Sequence, residues 1–257
     1  MCGVYFYTKK ACKNNELFKK SLLHRGPDYQ DQITIDNFVI GHTLLSIRDK
    51  INSSKQPVLT RNNYYFSFNG EIYNSKEILN RFKLDNTVSD TQILKQLIEK
   101  IGLKFINYIK GMYAIVLYDS AKKEIYLYKD HSGQKNLYYY VNNKEIIISS
   151  EIYPITKTIN FDGKVNFNYL SESLILGHPQ SNKTIFSKIF KLLPGEMIKL
   201  DQDGYIIQKI ISDKDINLDF QGSSIYECID KTIENHTLSN SKVGINLSSG
   251  LDSNIVL

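Results

Sequence analysis

The 257-residue chain has no tryptophan, three cysteines, five prolines and no apolar run of membrane-spanning length. Each scarcity excludes something. Cys2, Cys12 and Cys228 are odd in number and lack metal-ligand spacing, so neither a disulfide scaffold nor a cysteine metal site is expected. So sparse a set of thiols fits a reducing, cytoplasmic compartment. The first ten residues carry no secretory apolar core, and the residue behind Met1 is not the glycine that myristoylation needs. A transmembrane helix would need about 20 consecutive apolar residues. Charge of neither sign dominates: 32 Lys and Arg against 27 Asp and Glu leave +5, and the lysines are scattered. Nucleic acid and membrane surfaces are therefore not indicated as partners. The chemistry must come from individual sites.

What the chain does have is aromatic and β-branched residues in alternation. The opening MCGVYFYTKK places Val4 and Phe6 against Tyr5 and Tyr7, a period of two. Cys2 falls on the Val4 and Phe6 face. It reads either as a small buried hydrophobe at a strand end or as an N-terminal nucleophile that carries the α-amine once Met1 is removed. Further strands are predicted over 37–42, 64–68, 112–119, 123–128, 136–141, 145–149, 196–200 and 205–210, several joined as hairpins. Asn142-Asn143, Pro194-Gly195 and Asp203-Gly204 supply the turns. A helix is predicted over SDTQILKQLIEKIG, opened by a Ser89/Gln92 capping box and closed by Gly102. A second helix is predicted over 223–236. Many antiparallel strands with few helices read as α+β. Beyond residue 211 the pattern changes: a helix, an apolar strand over 243–247 and a Ser/Gly loop read as the front of an α/β domain. The expected organisation is a complete domain over 1–211 and a truncated second domain over 212–257.

Four short motifs carry chemistry. HRGPD (24–28) reads as a charged, solvated turn. In FNGEIYN (68–74) an apolar strand ends at Asn69-Gly70 without a mirrored partner strand. A side-chain amide and a bare backbone N–H at such a point can form an oxyanion hole. In SDT (89–91), Asp90 is either a first-turn acid favoured by the helix dipole, worth about 0.3–1 kcal/mol, or a carboxylate for a substrate ammonium. LSSGLDS (247–253) can cradle an anion with backbone N–H groups, but it lacks the lysine of the Walker-type loop.

These segments occur in one order with GHTLLSI (41–47), QPV (56–58), GMYAIVLYD (111–119), KDHSGQKNLYY (129–139), SSE (149–151) and LLPG (192–195). The ordered set resembles the N-terminal portion of glutamine-dependent asparagine synthetases, which are class II amidotransferases. The resemblance implies an N-terminal-nucleophile fold, an αββα four-layer sandwich of antiparallel sheets. It implies that Cys2, freed of Met1, attacks the amide of L-glutamine. Asn69 and Gly70 then hold the oxyanion and Asp90 the substrate ammonium; Glu71 and Arg48 are added as further candidates for the substrate site. The free thiol and the α-amine have pKa values near 8.5 and about 7.7–8.0, so the amine can serve as local base.

In a complete enzyme, the resemblance further implies ATP with Mg2+ at Ser248, Ser249, Gly250, Asp252 and Ser253, and aspartate as ammonia acceptor. Ser249 stands where the family's loop has glycine. A different acceptor, or a degenerate non-catalytic member, is the alternative. Assembly into a homo-oligomer is left open. One departure bears on glutamine itself. Leu44 occupies the position where the family carries the arginine that pairs with the α-carboxylate. Arg48 could replace it, but in an extended 44–48 it starts about 13 Å further along. The preferred reading makes Arg48 an ordinary exposed charge beside Asp49, with weak glutamine binding or a preference for ammonia as the consequence.

Overall fold

The computed structural model describes residues 1–257 except 13, 15, 49, 88, 159–160, 180, 212–223 and 240. In chain order the first half runs β1 (Gly3–Thr8), α1 (Glu16–Leu22), β2 (Tyr29–Ile35), β3 (Phe38–Leu44), α2 (Ile51–Ser54), β4 (Val58–Leu59), β5 (Tyr64–Ile72), α3 (Ser75–Phe82) and α4 (Asp90–Ile101). It continues with β6 (Gly111–Asp119), β7 (Glu124–Lys129), β8 (Tyr138–Asn142), β9 (Glu145–Ser149), α5 (Ile152–Thr156) and α6 (Phe167–Leu176). Last come β10 (Ile189–Lys191), β11 (Glu196–Leu200), β12 (Ile206–Ile211), α7 (Ile225–His236) and α8 (Leu251–Val256).

The strands form two six-stranded antiparallel sheets, ordered β10-β8-β9-β1-β3-β2 and β12-β11-β7-β6-β5-β4. Apolar residues of both sheets meet in one core, where Val4, Phe6 and Ile40 pack with Val116, Leu127 and Ile198. The outer face of the first sheet is covered by α1 and α5, with Tyr5 and Tyr7 stacked on Phe18 at 5.3 and 4.8 Å. The outer face of the second is covered by α3 and α4, through Ile78, Ile93, Leu94 and Leu97. These are the four layers of the expected αββα sandwich. Because β1 lies between β9 and β3 and is covered on both faces, all six of its residues are buried. Cys2 is thereby delivered to the end of a rigid central strand.

Several local expectations change. β5 does not end before Asn69-Gly70 but runs through both, pairing them with Ala114 and Tyr113 of β6. A Cβ at Gly70 would lie 2.1 Å from the Met112 carbonyl oxygen, so only glycine lets the two strands approach. The Ser89/Gln92 capping box does not form, because both side chains donate instead to the Ser53 carbonyl, at 2.9 and 3.1 Å. A capping box does close at Ser224 and Glu227, at the start of α7. The β8–β9 turn sits one residue later than predicted, with positive φ at Asn143 and Lys144. Cys12 is 3% exposed and packs in the α1 layer. Residues 243–247 form no strand, since no described strand lies alongside to pair with them. The boundary at 211–212 adjoins a segment outside the described residues.

Candidate active site

Cys2 lies just ahead of β1, and three segments fix it. The Leu45 N–H donates to Sγ at 3.4 Å, and Sγ lies 3.7 Å from the Leu45 carbonyl oxygen. Arg25, in HRGPD, donates from Nε to the Cys2 carbonyl at 3.0 Å and from Nη1 to Glu151 at 3.0 Å. Glu151 also meets His24 Nε2 at 2.8 Å. Burial opposes ionisation of Glu151, but the hydrogen bonds from Arg25 and His24 outweigh it and hold the carboxyl below its usual range. Ser150, its neighbour, accepts the Val4 N–H at 2.9 Å. HRGPD is thus more than a solvated turn: His24, Pro27 and Asp28 are exposed, but through Arg25 it joins SSE in a clamp on the first residues of β1.

Burial pushes the Cys2 thiol up. The Leu45 backbone bond, the N-terminal ammonium, Lys135 and Arg25 all pull the other way. Burial lowers the pKa of that ammonium, the largest effect on it. Met1 itself is 55% exposed, which leaves the bond to Cys2 approachable.

The oxyanion donors come from the edge of the second sheet. Ser67 on β5 points toward the first sheet and donates to the Gly41 carbonyl at 3.1 Å. Side chains alternate along a strand, so Asn69 points the same way and lines the Cys2 cleft. Among the described residues its Nδ2 is buried without a hydrogen-bond partner. β4 pairs only with Phe66 and Tyr65 and then stops short of Phe68. The Gln56 side chain takes over the next rung: Oε1 accepts the Phe68 N–H at 2.6 Å, and Nε2 donates to the Phe68 carbonyl at 3.1 Å. Two residues on, the Gly70 N–H points along the same edge, by the alternation of an antiparallel ladder. His42 Nε2 reaches the same Phe68 carbonyl at 3.1 Å from β3. Burial drives the His42 pKa down to about 4, against the Phe68 hydrogen bond.

The remaining wall carries charge. Asp90 opens α4 and is 5% exposed. Arg48 donates from Nη1 to its two oxygens at 3.1 and 3.2 Å, and to the Ile72 carbonyl at 3.0 Å. Nη2 donates to Ser75 Oγ at 3.3 Å. The reading of Arg48 as an exposed charge is therefore overturned, since its side chain is only 15% exposed. The physical reason is that the chain does not stay extended. β3 ends at Leu44 and residues 47–48 bend, bringing Arg48 back to the cleft. Leu44, Glu71 and Lys135 complete the lining with Cys2, Asn69, Gly70, Arg48 and Asp90.

The predicted nucleotide loop is not part of this cleft. Its groups bond one another: Gly250 N–H donates to Ser248 Oγ at 3.1 Å, and Ser253 Oγ donates to the Ser248 and Gly250 carbonyls, both at 3.1 Å. In this arrangement the Gly250 N–H is committed to Ser248 and does not offer itself to a phosphate. Gln56, Arg25, Glu151 and Lys135 escaped assignment from the sequence. They lie in QPV, HRGPD, SSE and KDHSGQKNLYY or beside them, so the segments were signalled but not the roles. Among the described residues no His/Cys/Asp/Glu group could hold a metal, and no helix is long and apolar enough to cross a membrane.

A thiol, an orphan amide donor and an opposed ion pair in one cleft suit covalent cleavage of the amide of a zwitterionic substrate. The chain belongs to the glutamine amidotransferase domain family, whose model matches residues 1–210. Over its whole length it is 29% identical to the putative asparagine synthetase [glutamine-hydrolyzing] 2 of Methanocaldococcus jannaschii, covering 56% of that protein. It is 26% identical, again over its whole length, to asparagine synthetase B [glutamine-hydrolyzing] of Escherichia coli, covering 44% of it. Over 51% of the chain, identity to asparagine synthetase [glutamine-hydrolyzing] 2 of Bacillus subtilis is 36%, covering 18% of that protein. Among solved structures, the glutamine phosphoribosylpyrophosphate amidotransferase of Bacillus subtilis matches 81% of the chain and 42% of its own. The TM-score is 0.49 and the identity 16%. The chain spans about half the length of the first two relatives.

Proposed function

We propose that this chain hydrolyses L-glutamine to glutamate and ammonia, with Cys2 as nucleophile. The observation that carries the reading is the convergence of the Cys2 thiol, the unpartnered Asn69 amide and the Arg48–Asp90 pair on one cleft. Loss of Met1 turns the Cys2 nitrogen from a neutral amide into an amine, which takes the thiol proton. Sγ then bonds the substrate amide carbon, and the oxyanion meets Asn69 Nδ2 and the Gly70 N–H. Collapse breaks the C–N bond. The amine returns its proton to the leaving nitrogen, and ammonia departs from a thioester. Water cleaves the thioester, regenerating the thiol and releasing glutamate. Asp90 holds the substrate ammonium and Arg48 its carboxylate. Glu71, on the same wall, is a further substrate contact.

In this reading the ammonia serves ATP-dependent amidation of aspartate in a longer polypeptide of the asparagine synthetase kind, in the cytoplasm. Residues 248–253 would begin its nucleotide loop, once Gly250 N–H leaves Ser248. The test is glutamate release from glutamine, with intact mass to confirm loss of Met1. The wild-type chain is expected to turn over, and Cys2→Ala to be inactive with an unchanged circular dichroism spectrum. Normal turnover by Cys2→Ala refutes the assignment.

A further inference from the structure

Lys135 lines the cleft, and the reaction above does not use it. It closes the loop after β7, and that loop is tightly set. Asp130, fully buried, accepts from the backbone N–H groups of Tyr113, Gln134 and Lys135 at 3.2, 2.9 and 3.1 Å, and from Ser132 Oγ at 3.1 Å. The loop thereby aims Lys135 into the cleft that holds Cys2. The residue is 8% exposed, yet among the described residues its ammonium makes no ion pair and no hydrogen bond. A buried, unpaired cation is costly, by several kcal/mol for an ion without a partner. The nearby acid of its own loop is already satisfied by four donors. Of the carboxylates lining the cleft, Glu71 acts most strongly on Lys135 without forming an ion pair with it, and the reaction creates a further anion there, the Cys2 thiolate.

We propose that Lys135 is the counter-cation of the Cys2 thiolate, a positioning residue that acts through Cys2. The inference rests on the nucleophile reading above. When the thiol proton passes to the Cys2 amine, the negative charge appears on Sγ in the cleft that Lys135 also lines, from a backbone position already set by Asp130. Preorganised charge of this kind requires no reorganisation during the step. The directions of titration agree: Lys135 pulls the thiol down, and Cys2 pulls Lys135 up against the lowering effect of burial. Other charges also act here. Arg25 and the N-terminal ammonium favour the thiolate. Glu71 and Asp130 favour a charged Lys135, and Asp28 acts on the N-terminal ammonium. The Arg48–Asp90 pair across the cleft is internally neutral.

The test reads Cys2 alkylation, peptide by peptide, by mass spectrometry against pH, and so does not depend on glutamine turnover. Lys135→Met is expected to raise the thiol pKa by about one unit and slow alkylation near pH 7 about ten-fold. Lys135→Arg, which keeps the charge, is expected to stay within about three-fold of wild type. A Lys135→Met profile that superimposes on wild type overturns the proposal. A second measurement needs no variant. The rate ratio of anionic iodoacetate to neutral iodoacetamide is expected to be several-fold higher at Cys2 than at the half-exposed Cys228 of the same chain. Equal ratios overturn the proposal even if Lys135→Met does not fold. If wild type shows the expected alkylation pattern but releases no glutamate, the charge assignment stands and the glutaminase reading fails.

Discussion

Removing the Arg48 guanidinium should separate substrate binding from chemistry. Arg48 and Asp90 are 15% and 7% exposed as side chains, so water screens their interaction weakly. In the free protein each satisfies the other. A bound glutamine brings a carboxylate for the first and an ammonium for the second. A charge-assisted hydrogen bond of this sort contributes about 1.5–3 kcal/mol, or roughly ten- to a hundred-fold in binding. Arg48→Ala also strands Asp90 at a buried position without its neutralising partner, which weakens its grip on the ammonium. The expected loss therefore lies toward the upper end of that range. KM for glutamine should rise by about fifty-fold or more while kcat changes less than about three-fold. Arg48→Lys should recover only part, because a point charge cannot form the two-pronged contact. The decisive comparison is 4-aminobutanamide, which is glutamine without its α-carboxylate. Wild type should prefer glutamine strongly, and Arg48→Ala should handle the two alike. If Arg48→Ala keeps the wild-type KM, or still discriminates between the two amides, the relocated-arginine argument is wrong.

Two further outcomes follow from the buried groups beneath the oxyanion donors. Gln56→Leu strips the Phe68 N–H of its acceptor at about 1–3 kcal/mol per unsatisfied group. At about 2–4 °C per kcal/mol for a domain of this size it should lower Tm by about 2–12 °C, and lower kcat more than KM because Asn69 and Gly70 lose their support. Unchanged Tm and kcat in that variant would contradict the rung described for Gln56. His42 has a folded pKa of about 4, below its ordinary 6.5. Its contribution is thus complete above pH 6.5 and is lost as pH falls from there toward 4, by up to about 3 kcal/mol. Urea midpoints at pH 7 and pH 4.5 should diverge more for wild type than for His42→Gln, which cannot titrate. Equal divergence would remove His42 from the account.

How much was legible in the sequence depended on how local the determining contacts are. Strands with both faces buried or regular alternation, such as Gly3–Thr8, Glu145–Ser149 and Glu196–Leu200, were readable within a residue because their own pattern specifies them. β2, YQDQITI, was missed: it is an edge strand with mostly half-buried polar residues, so no face stands out. α1 was missed because seven residues with only Phe18 and Leu22 buried give too short a stripe. Cys2, Asn69, Gly70 and Asp90 were singled out by motif, and the fold brings them to one cleft. Arg48 was misread because its place depends on a bend after Leu44 that periodicity cannot show. Gln56 and Arg25 were missed for a related reason. Their work is done on Phe68, 12 residues away, and on Cys2, 23 residues away. No short window contains both ends of either contact.

The clamp on Cys2 bears on how such a site could come into being. Arg25 grips the carbonyl oxygen of the residue, and Leu45 flanks its sulfur. Neither contact uses the nitrogen. Cleavage of the bond behind Met1 alters only that nitrogen, exchanging an amide for an amine, and leaves both holds in place. The scaffold can therefore be finished while the chain is still chemically silent. A single proteolytic cut then acts as the trigger, supplying the missing base to a nucleophile already seated, as in a zymogen whose prosegment is one residue long.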